Sequence, residues 1–466
     1  MLEGVKRVHM VGIGGVGMSG IAALLDGQGY EVSGSDLVAS AAVERLRAVG
    51  LPIAVGHDAS HLDLPAAPDL VVLSSAVPGD NPELIEARRR GIPVVSRGAM
   101  LAELARTKRA LAVVGSHGKT TTTSMLGLVL ERAGLDPTVV VGGVVRPFGG
   151  NVRQGTGEVM VLEADESDRS FLALAPQVAV LTNVDDEHLE AYDGMSGLEE
   201  AFGGFVRRVL SGGGKVVWCA DDPRLQAILD RYGDARTPTG GFGIASETAH
   251  VRARAPVYGP EGTRCEVLAG GEAHDLELPV PGRHNLLDAL AAVAAAMTMG
   301  VAPGDAVATL ARFTGVGRRF ETFHAPGDVE LIDDYGHHPT EIAAVVETAR
   351  LRNPRRLILV FEPHRYSRTA RLLDRFGAAL ALADHVVLTG LHAASERPIE
   401  GVDANAVARA VRRHADIPIA VAADHEDAAA RVAAAAGDGD TVVILGAGPI
   451  GGLRPRIKAA LDRRTR

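Results

Sequence analysis

Residues 110–123 read ALAVVGSHGKTTTT, and this stretch decides the fold. Ala112–Val114 closes a short apolar run of the kind that forms a buried strand, and the residues after Gly118 open a helix. Between them, Gly115-Ser116-His117-Gly118-Lys119-Thr120 is a shortened relative of G-x-x-x-x-G-K-[ST]. The backbone N–H groups of such a turn and the positive end of the following helix can cradle phosphates. Lys119 can neutralise charge on β/γ oxygens, and Thr120 can ligate Mg²⁺. Only five of the 48 basic residues are lysines: Lys6, Lys108, Lys119, Lys215 and Lys458. A chain so rich in arginine that still places a lysine here needs a compact ammonium and not a planar fork. ATP is the expected occupant.

Outward from this turn, short β-branched runs alternate with longer Ala/Leu/Arg stretches, the pattern of parallel sheets flanked by helices. Strands are expected at Arg7–Ile13, Tyr30–Ser33 and Leu70–Ser74 before the P-loop. Others are expected at Val159–Glu163, Val178–Asn183 and Lys215–Cys219 after it. From Ala249 to Pro281 the pattern shortens into hairpin-like segments, and a long helix follows from about His284 to Met299. Phe313–Arg319, rich in Gly and Arg, reads as a linker. Beyond it, strands are expected at Val329–Ile332, Leu357–Phe361, His385–Thr389, Ile417–Ala420 and Val442–Leu445. The expected fold is α/β in three domains. A Rossmann-like unit spans residues 1–105, a P-loop ATPase-like unit with a small antiparallel β section spans 106–318, and a second Rossmann-like α/β unit spans 319–466.

Gly12, Gly14 and Gly17 form G-x-G-x-x-G after the first strand, so the backbone can approach a pyrophosphate at a helix N-terminus. Asp36 follows where an acid can reach a ribose hydroxyl. The motif alone does not choose between NAD and another pyrophosphate nucleotide. Glu163 ends a strand and opens Glu163-Ala164-Asp165-Glu166-Ser167-Asp168, and His188 follows the next strand. Strand C-termini present ligand groups in open α/β sheets, so both are candidates to converge on metal and phosphate. In the last unit, Asp333-Asp334-Tyr335-Gly336-His337-His338 and Glu362-Pro363-His364-Arg365-Tyr366-Ser367-Arg368 also follow strands. The spacing of Arg365 and Arg368 predicts two guanidinium groups on one side of a helical turn, suited to a carboxylate or a charged transition state.

The chain has 466 residues, 46% hydrophobic and 23% charged, enough apolar material for several cores. A formal charge of -10 argues against general nucleic-acid binding. Two cysteines, Cys219 and Cys265, support neither a disulfide framework nor a four-cysteine zinc site. The longest Ala-rich stretch, Leu286–Gly300, is interrupted by Asp288 and is too short for a membrane span. Met1–Met10 is not patterned as a signal peptide. A cytoplasmic enzyme is expected, with no nucleic-acid or membrane partner.

The sequence resembles the bacterial Mur ligases over essentially its whole length, on GIGGVGMSGIA from Gly12, GSHGKTTTT from Gly115, EADESDRSFL from Glu163, DDYGHHPTEI from Asp333 and FEPHRYSRT from Phe361. The EADESD and HRYSRT strings point to the alanine-adding branch. The resemblance implies an ATP-dependent, ADP-forming ligase. It would join L-alanine to the lactoyl carboxylate of UDP-N-acetylmuramate through an acyl phosphate, with two Mg²⁺ ions, in peptidoglycan precursor synthesis. By position, Gly12, Gly14, Gly15, Gly17, Asp36, Ser74 and Ser75 would hold the UDP-sugar. Gly115, Ser116, His117, Gly118, Lys119, Thr120 and Thr121, with Asn285, Asp288 and Arg319, would hold ATP. Thr120, Glu163 and His188 would serve the metals, and Tyr335, His337, Arg365 and Arg368 the alanine end. Lys119, His188, His337, Arg365 and Arg368 are the candidate catalytic groups, His337 being the first choice of base. Departures from the family pattern are Ser116 for Thr, Asp288 for Asn, Glu187 for Asp and Glu362 for Gln. No lysine between His188 and Gly214 offers the carbamylated metal ligand of sister ligases. The alternatives are a murein tripeptide-recycling ligase of the same family, an NAD-dependent oxidoreductase and a non-catalytic ATP-binding regulator.

Overall fold

The computed structural model describes residues 1–63, 66–145, 148–233, 239–394 and 396–465. Its strands form three sheets. In the first, five parallel strands lie in the order Ile53–Val55, Glu31–Asp36, Arg7–Val11, Leu70–Leu73, Val94–Ser96. The chain leaves the central strand toward one edge and returns to build the other. The strand order therefore reverses between Arg7–Val11 and Leu70–Leu73, where the loops after Val11 and Leu73 lie side by side, a Cβ at Gly12 reaching Ser74 Cβ at 2.9 Å. The first strand ends at Val11, short of Ile13, because Gly12 turns at φ 79° and the Gly12 and Ile13 amides both donate to Ser35 O.

The second sheet holds ten strands. Its parallel section runs Thr239–Gly243, Lys215–Cys219, Val178–Leu181, Arg109–Val114, Val159–Glu163, Thr138–Val145, and Gly150–Arg153 is antiparallel at the edge. At the other edge lie Val251–Gly259, Gly262–Ala269 and Glu272–Leu278. Their two-residue connections require antiparallel hairpins, matching the short alternating pattern in the sequence. The Arg109–Val114 strand sits between the strands ending at Glu163 and Leu181, with Val113 opposite Glu163 and Val114 opposite Leu181. That register brings the acid cluster and the Thr182–His188 segment to the two flanks of the P-loop. The helix after the loop, Lys119–Arg132, is buried from Thr120 through Leu130. Within it Ser124 donates to Thr120 O and Thr122 donates to Asp288, whereas the Thr123 hydroxyl is buried with no hydrogen-bond partner among the described residues.

The third sheet runs Glu321–Ala325, Val329–Asp334, Thr441–Leu445, Leu357–Phe361, His385–Leu388, Ile419–Val421, parallel except for the first pair. One face packs Phe361, Phe376, Ile342 and Leu380, and the other packs Val360, Ile444, Val432 and Ile457. At about 1.5–3 kcal/mol for each large apolar side chain fully removed from water, these layers dominate the stability of this part.

The residues group into two compact units. One comprises Met1–Arg254, Glu266–Leu276 and Leu287–Phe313, and the other Ala255–Cys265, Glu277–Leu286 and Thr314–Arg466. Both cysteines are buried, and neither forms a disulfide among the described residues. Among the described residues, no helix is long and apolar enough to cross a membrane.

Candidate active site

The P-loop is shaped by two glycines. Gly115 (φ 150°) and Gly118 (φ 79°) take backbone conformations that suit glycine. A Cβ at Gly118 would lie 2.3 Å from Asp288 Oδ1, and one at Gly115 would lie 2.0 Å from Thr182 Oγ1. The loop is also tied to its neighbour strand. His117 N donates to Asn183 Oδ1 at 2.9 Å, Thr182 Oγ1 donates to His117 O at 2.6 Å, and Asp185 N donates to Ser116 Oγ at 2.9 Å. The His117 ring lies 3.1 Å from Asp185 Oδ2.

At the head of the helix, Thr120 Oγ1 is 3.0 Å from both oxygens of Glu163, and Gly142 N donates to Glu163 Oε2 at 2.6 Å. A hydroxyl beside a carboxylate at the end of a strand is the hard-oxygen pair that Mg²⁺ takes, so these residues fit the expected ion. His188 adopts φ 54° and lies 3.8 Å from both Glu187 and Glu190. Lys119 Nζ donates to Gly115 O at 2.6 Å, Ser116 O at 3.2 Å and Glu166 Oε2 at 2.7 Å. Burial works against the Lys119 charge, but Glu166, Asp165 and Glu163 outweigh it and hold the ammonium above its ordinary pKa. Burial likewise pushes the Glu166 carboxyl up, against the pull of Lys119. Glu166 is the partner that the sequence reading did not single out from its acidic string.

Asp288 turns toward the P-loop helix, accepting from Thr122 Oγ1 at 3.0 Å. A carboxylate buried this deeply needs a donor close by, and the Thr122 hydroxyl supplies one.

In the first sheet, Asp36 Oδ2 accepts from Gly14 N at 2.8 Å, so this acid pins the glycine turn in the structure, where the sequence pattern predicts a ribose contact. A Cβ at Gly14 would lie 2.9 Å from Asp36 Oδ2, and one at Gly12 would lie 2.9 Å from Ser74 Cβ. Gly15 caps the helix Val16–Gly27, and Ser75 is exposed in the turn beyond Ser74. Arg97, absent from the sequence expectations, packs its guanidinium on Gly17 and pairs with Asp168 at 3.2 Å and Asp165 at 3.6 Å. It ties the glycine turn to the acid cluster beside the P-loop. Below the turn, fully buried Glu83 accepts from Ser35 Oγ at 2.8 Å and bonds His9 at 2.8 Å and His57 at 2.9 Å. Burial alone would raise its pKa, but these hydrogen bonds outweigh it and lower it to about 2.

In the second unit, Asn285 Nδ2 donates to Pro281 O at 2.7 Å, a bond that fixes the start of the helix Arg283–Thr298. Arg318 and Arg319 each lie 5.3 Å from the Tyr335 ring, and Arg319 reaches Glu341 at 3.8 Å. Rings then follow in series: Tyr335 to His337 at 5.5 Å, His337 to His364 at 5.9 Å, His364 to His392 at 5.3 Å. His337 Nδ1 is 3.1 Å from Tyr335 O and 3.5 Å from Glu341. The expected pairing of Arg365 and Arg368 on one helical face is corrected. Arg365 precedes the helix Tyr366–Arg371 at φ 68° and reaches Glu396 at 3.8 Å, whereas buried Arg368 lies 3.2 Å from His364 Nδ1. The spacing argument fails because the helix begins one residue too late. Burial, His337 and Arg368 push His364 down to about 3, so its imidazole is neutral at physiological pH. His364 and His392 were invisible as a pair, since they lie on separate strands' exits.

Three family models match the chain in succession. The Mur ligase family catalytic domain matches residues 7–109, the Mur ligase middle domain 113–296, and the Mur ligase glutamate ligase domain 318–448. The chain belongs to the Mur ligase family. Relatives named UDP-N-acetylmuramate–L-alanine ligase include that of Solidesulfovibrio magneticus, 44% identical with 97% of each chain covered, and that of Burkholderia ambifaria, also 44% identical with 97% of each covered. Among solved structures, the UDP-N-acetylmuramate-alanine ligase of Thermotoga maritima matches at TM-score 0.81 and 29% identity, over 98% of this chain and 99% of that one. A murein peptide ligase of Psychrobacter arcticus matches at TM-score 0.73 and 27% identity, over 98% of each.

Proposed function

We propose that this Mur ligase is the ADP-forming UDP-N-acetylmuramate:L-alanine ligase, an ATP-dependent carbon–nitrogen ligase of peptidoglycan precursor synthesis in the cytoplasm. The observation that carries the reading is the placement of Lys119 and the Thr120–Glu163 pair at the mouth of one glycine turn. The 44% identity to alanine-adding relatives supports the acceptor and the sugar nucleotide.

A carboxylate and an amine do not condense in water, since oxide is a poor leaving group. The lactoyl carboxylate therefore takes the γ-phosphoryl group to give an acyl phosphate and ADP. The neutral amine of L-alanine attacks the acyl carbon, and phosphate departs with the C–O electron pair. Lys119 offsets repulsion between the anionic carboxylate and phosphate, so catalysis is mainly positioning and charge stabilisation. Thr120 and Glu163 would hold one Mg²⁺ and His188 a second. When bound, these ions supply further charge neutralisation on the phosphates.

The glycines Gly12, Gly14, Gly15 and Gly17, with Asp36, Ser74 and Ser75, are assigned to the UDP-sugar. Gly115–Thr121, Asn285, Asp288 and Arg319 are assigned to ATP. Tyr335, Arg365 and Arg368 are assigned to alanine, and His337 takes the amine proton. The proposed domains are 1–105 for the sugar nucleotide, 106–318 for ATP and 319–466 for the amino acid.

The acyl-phosphate step is tested with UDP-N-acetylmuramate carrying ¹⁸O in its lactoyl carboxylate. One ¹⁸O should appear in the released phosphate, and unlabelled phosphate would refute the route.

A further inference from the structure

Glu166 is a buried acid that the mechanism above leaves without a task. Its whole residue is 1% exposed, yet it makes the only charged hydrogen bond to the Lys119 ammonium among the described residues. The two other protons of that ammonium go to Gly115 O and Ser116 O, neutral carbonyls of the loop itself. An ammonium has three donors and no more, so a phosphate oxygen can gain one only if an existing partner yields it. Glu166 cannot simply swing away. Its side chain is enclosed, only 2% exposed. Drawing Lys119 off leaves a buried carboxylate short of its counter-charge, and that penalty is subtracted from the affinity for phosphate.

We propose that Glu166 is a positioning residue that competes with the nucleotide phosphates for Lys119, and so limits how tightly ADP is held after the reaction. The assignment rests on the reading of the P-loop as the ATP site. It gives the third acid of the EADESD string a purpose separate from metal binding. An ammonium that is always offered a second anion releases its product phosphate more readily, and in a ligase that must discharge ADP each cycle this favours turnover.

The test is a double-mutant cycle read by ADP affinity, using Glu166→Gln, Lys119→Met and the double variant with ADP and Mg²⁺. Glu166→Gln alone should bind ADP about fivefold tighter, with KM for ATP and kcat both lowered. In the Lys119→Met background the same change should leave ADP affinity unaltered. Weaker or unchanged ADP binding by Glu166→Gln overturns the proposal, because a structural acid would loosen the site. Equal tightening in both backgrounds also overturns it, because that is plain charge repulsion and not competition for Lys119.

Should Glu166→Gln fail to fold, the unmodified protein supplies the answer through its lysine side-chain ¹⁵N resonances, of which there are five. ADP should shift the Lys119 ammonium signal, and an unmoved signal in the ADP complex counts against competition. ADP release on mixing ATP, UDP-N-acetylmuramate and L-alanine is measured separately. Its absence would sink the ligase reading while leaving the outcome of the cycle to judge Glu166.

Discussion

Lys119 carries the heaviest demand of any single residue. It is the cation on the P-loop, held charged by the acids around it, and Lys458 lies exposed on the surface. Lys119→Ala should reduce turnover by about a thousandfold, as expected for a group that stabilises a transferring phosphoryl, while Lys458→Ala should leave steady-state rates unchanged. Near-normal turnover in Lys119→Ala would remove phosphoryl transfer from this loop. Glu163 makes a different prediction. Its carboxylate lies 3.0 Å from the Thr120 hydroxyl, so Glu163→Gln should raise the Mg²⁺ concentration needed for half-maximal activity by about tenfold or more, read from a metal titration at saturating ATP. An unchanged Mg²⁺ requirement would take Glu163 out of the metal site.

At the scale of elements, each glycine turn depends on the backbone around it. Gly118→Ala puts a Cβ at φ 79° and 2.3 Å from Asp288 Oδ1. The left-handed conformation alone costs about 1–2 kcal/mol, so nucleotide affinity should fall before the fold is lost, as separate binding and melting measurements would show. Glu83 offers a pH test of the first sheet. Its folded pKa is lowered from 4.5 to about 2, so its contribution is complete above about pH 4.5 and is lost as pH falls toward 2. Denaturant unfolding should show that loss, and Glu83→Gln should flatten the pH dependence across this window.

These elements also show what a linear sequence can and cannot reveal. The strand Val159–Glu163 and the start of the helix Lys119–Arg132 were readable, because periodicity and a glycine turn are local signals. The strands Ile53–Val55 and Val94–Ser96 were not, since three residues establish no period. The Lys119–Glu166 and Arg97–Asp168 pairs were hidden for another reason: they depend on strand register and on tertiary packing across tens of residues. Likewise, Arg365 and Arg368 looked like neighbours on a helix until the start of that helix, one residue later, sent them to different partners.

For the whole molecule, a sugar nucleotide, ATP and an amino acid must act in one sequence. A ligand that binds the folded chain stabilises it by mass action, so UDP-N-acetylmuramate and ATP with Mg²⁺ should each raise the melting temperature, and NADH should not. A rise with NADH alone would reopen the oxidoreductase reading of the first glycine turn. The most direct measurement is ADP release in the presence of ATP, Mg²⁺ and UDP-N-acetylmuramate, with L-alanine or the murein tripeptide supplied as acceptor. The account predicts ADP and a matching amount of UDP-N-acetylmuramoyl-L-alanine with L-alanine, and little product with the tripeptide. Preference for the tripeptide, or ADP release that ignores the sugar nucleotide, would contradict it.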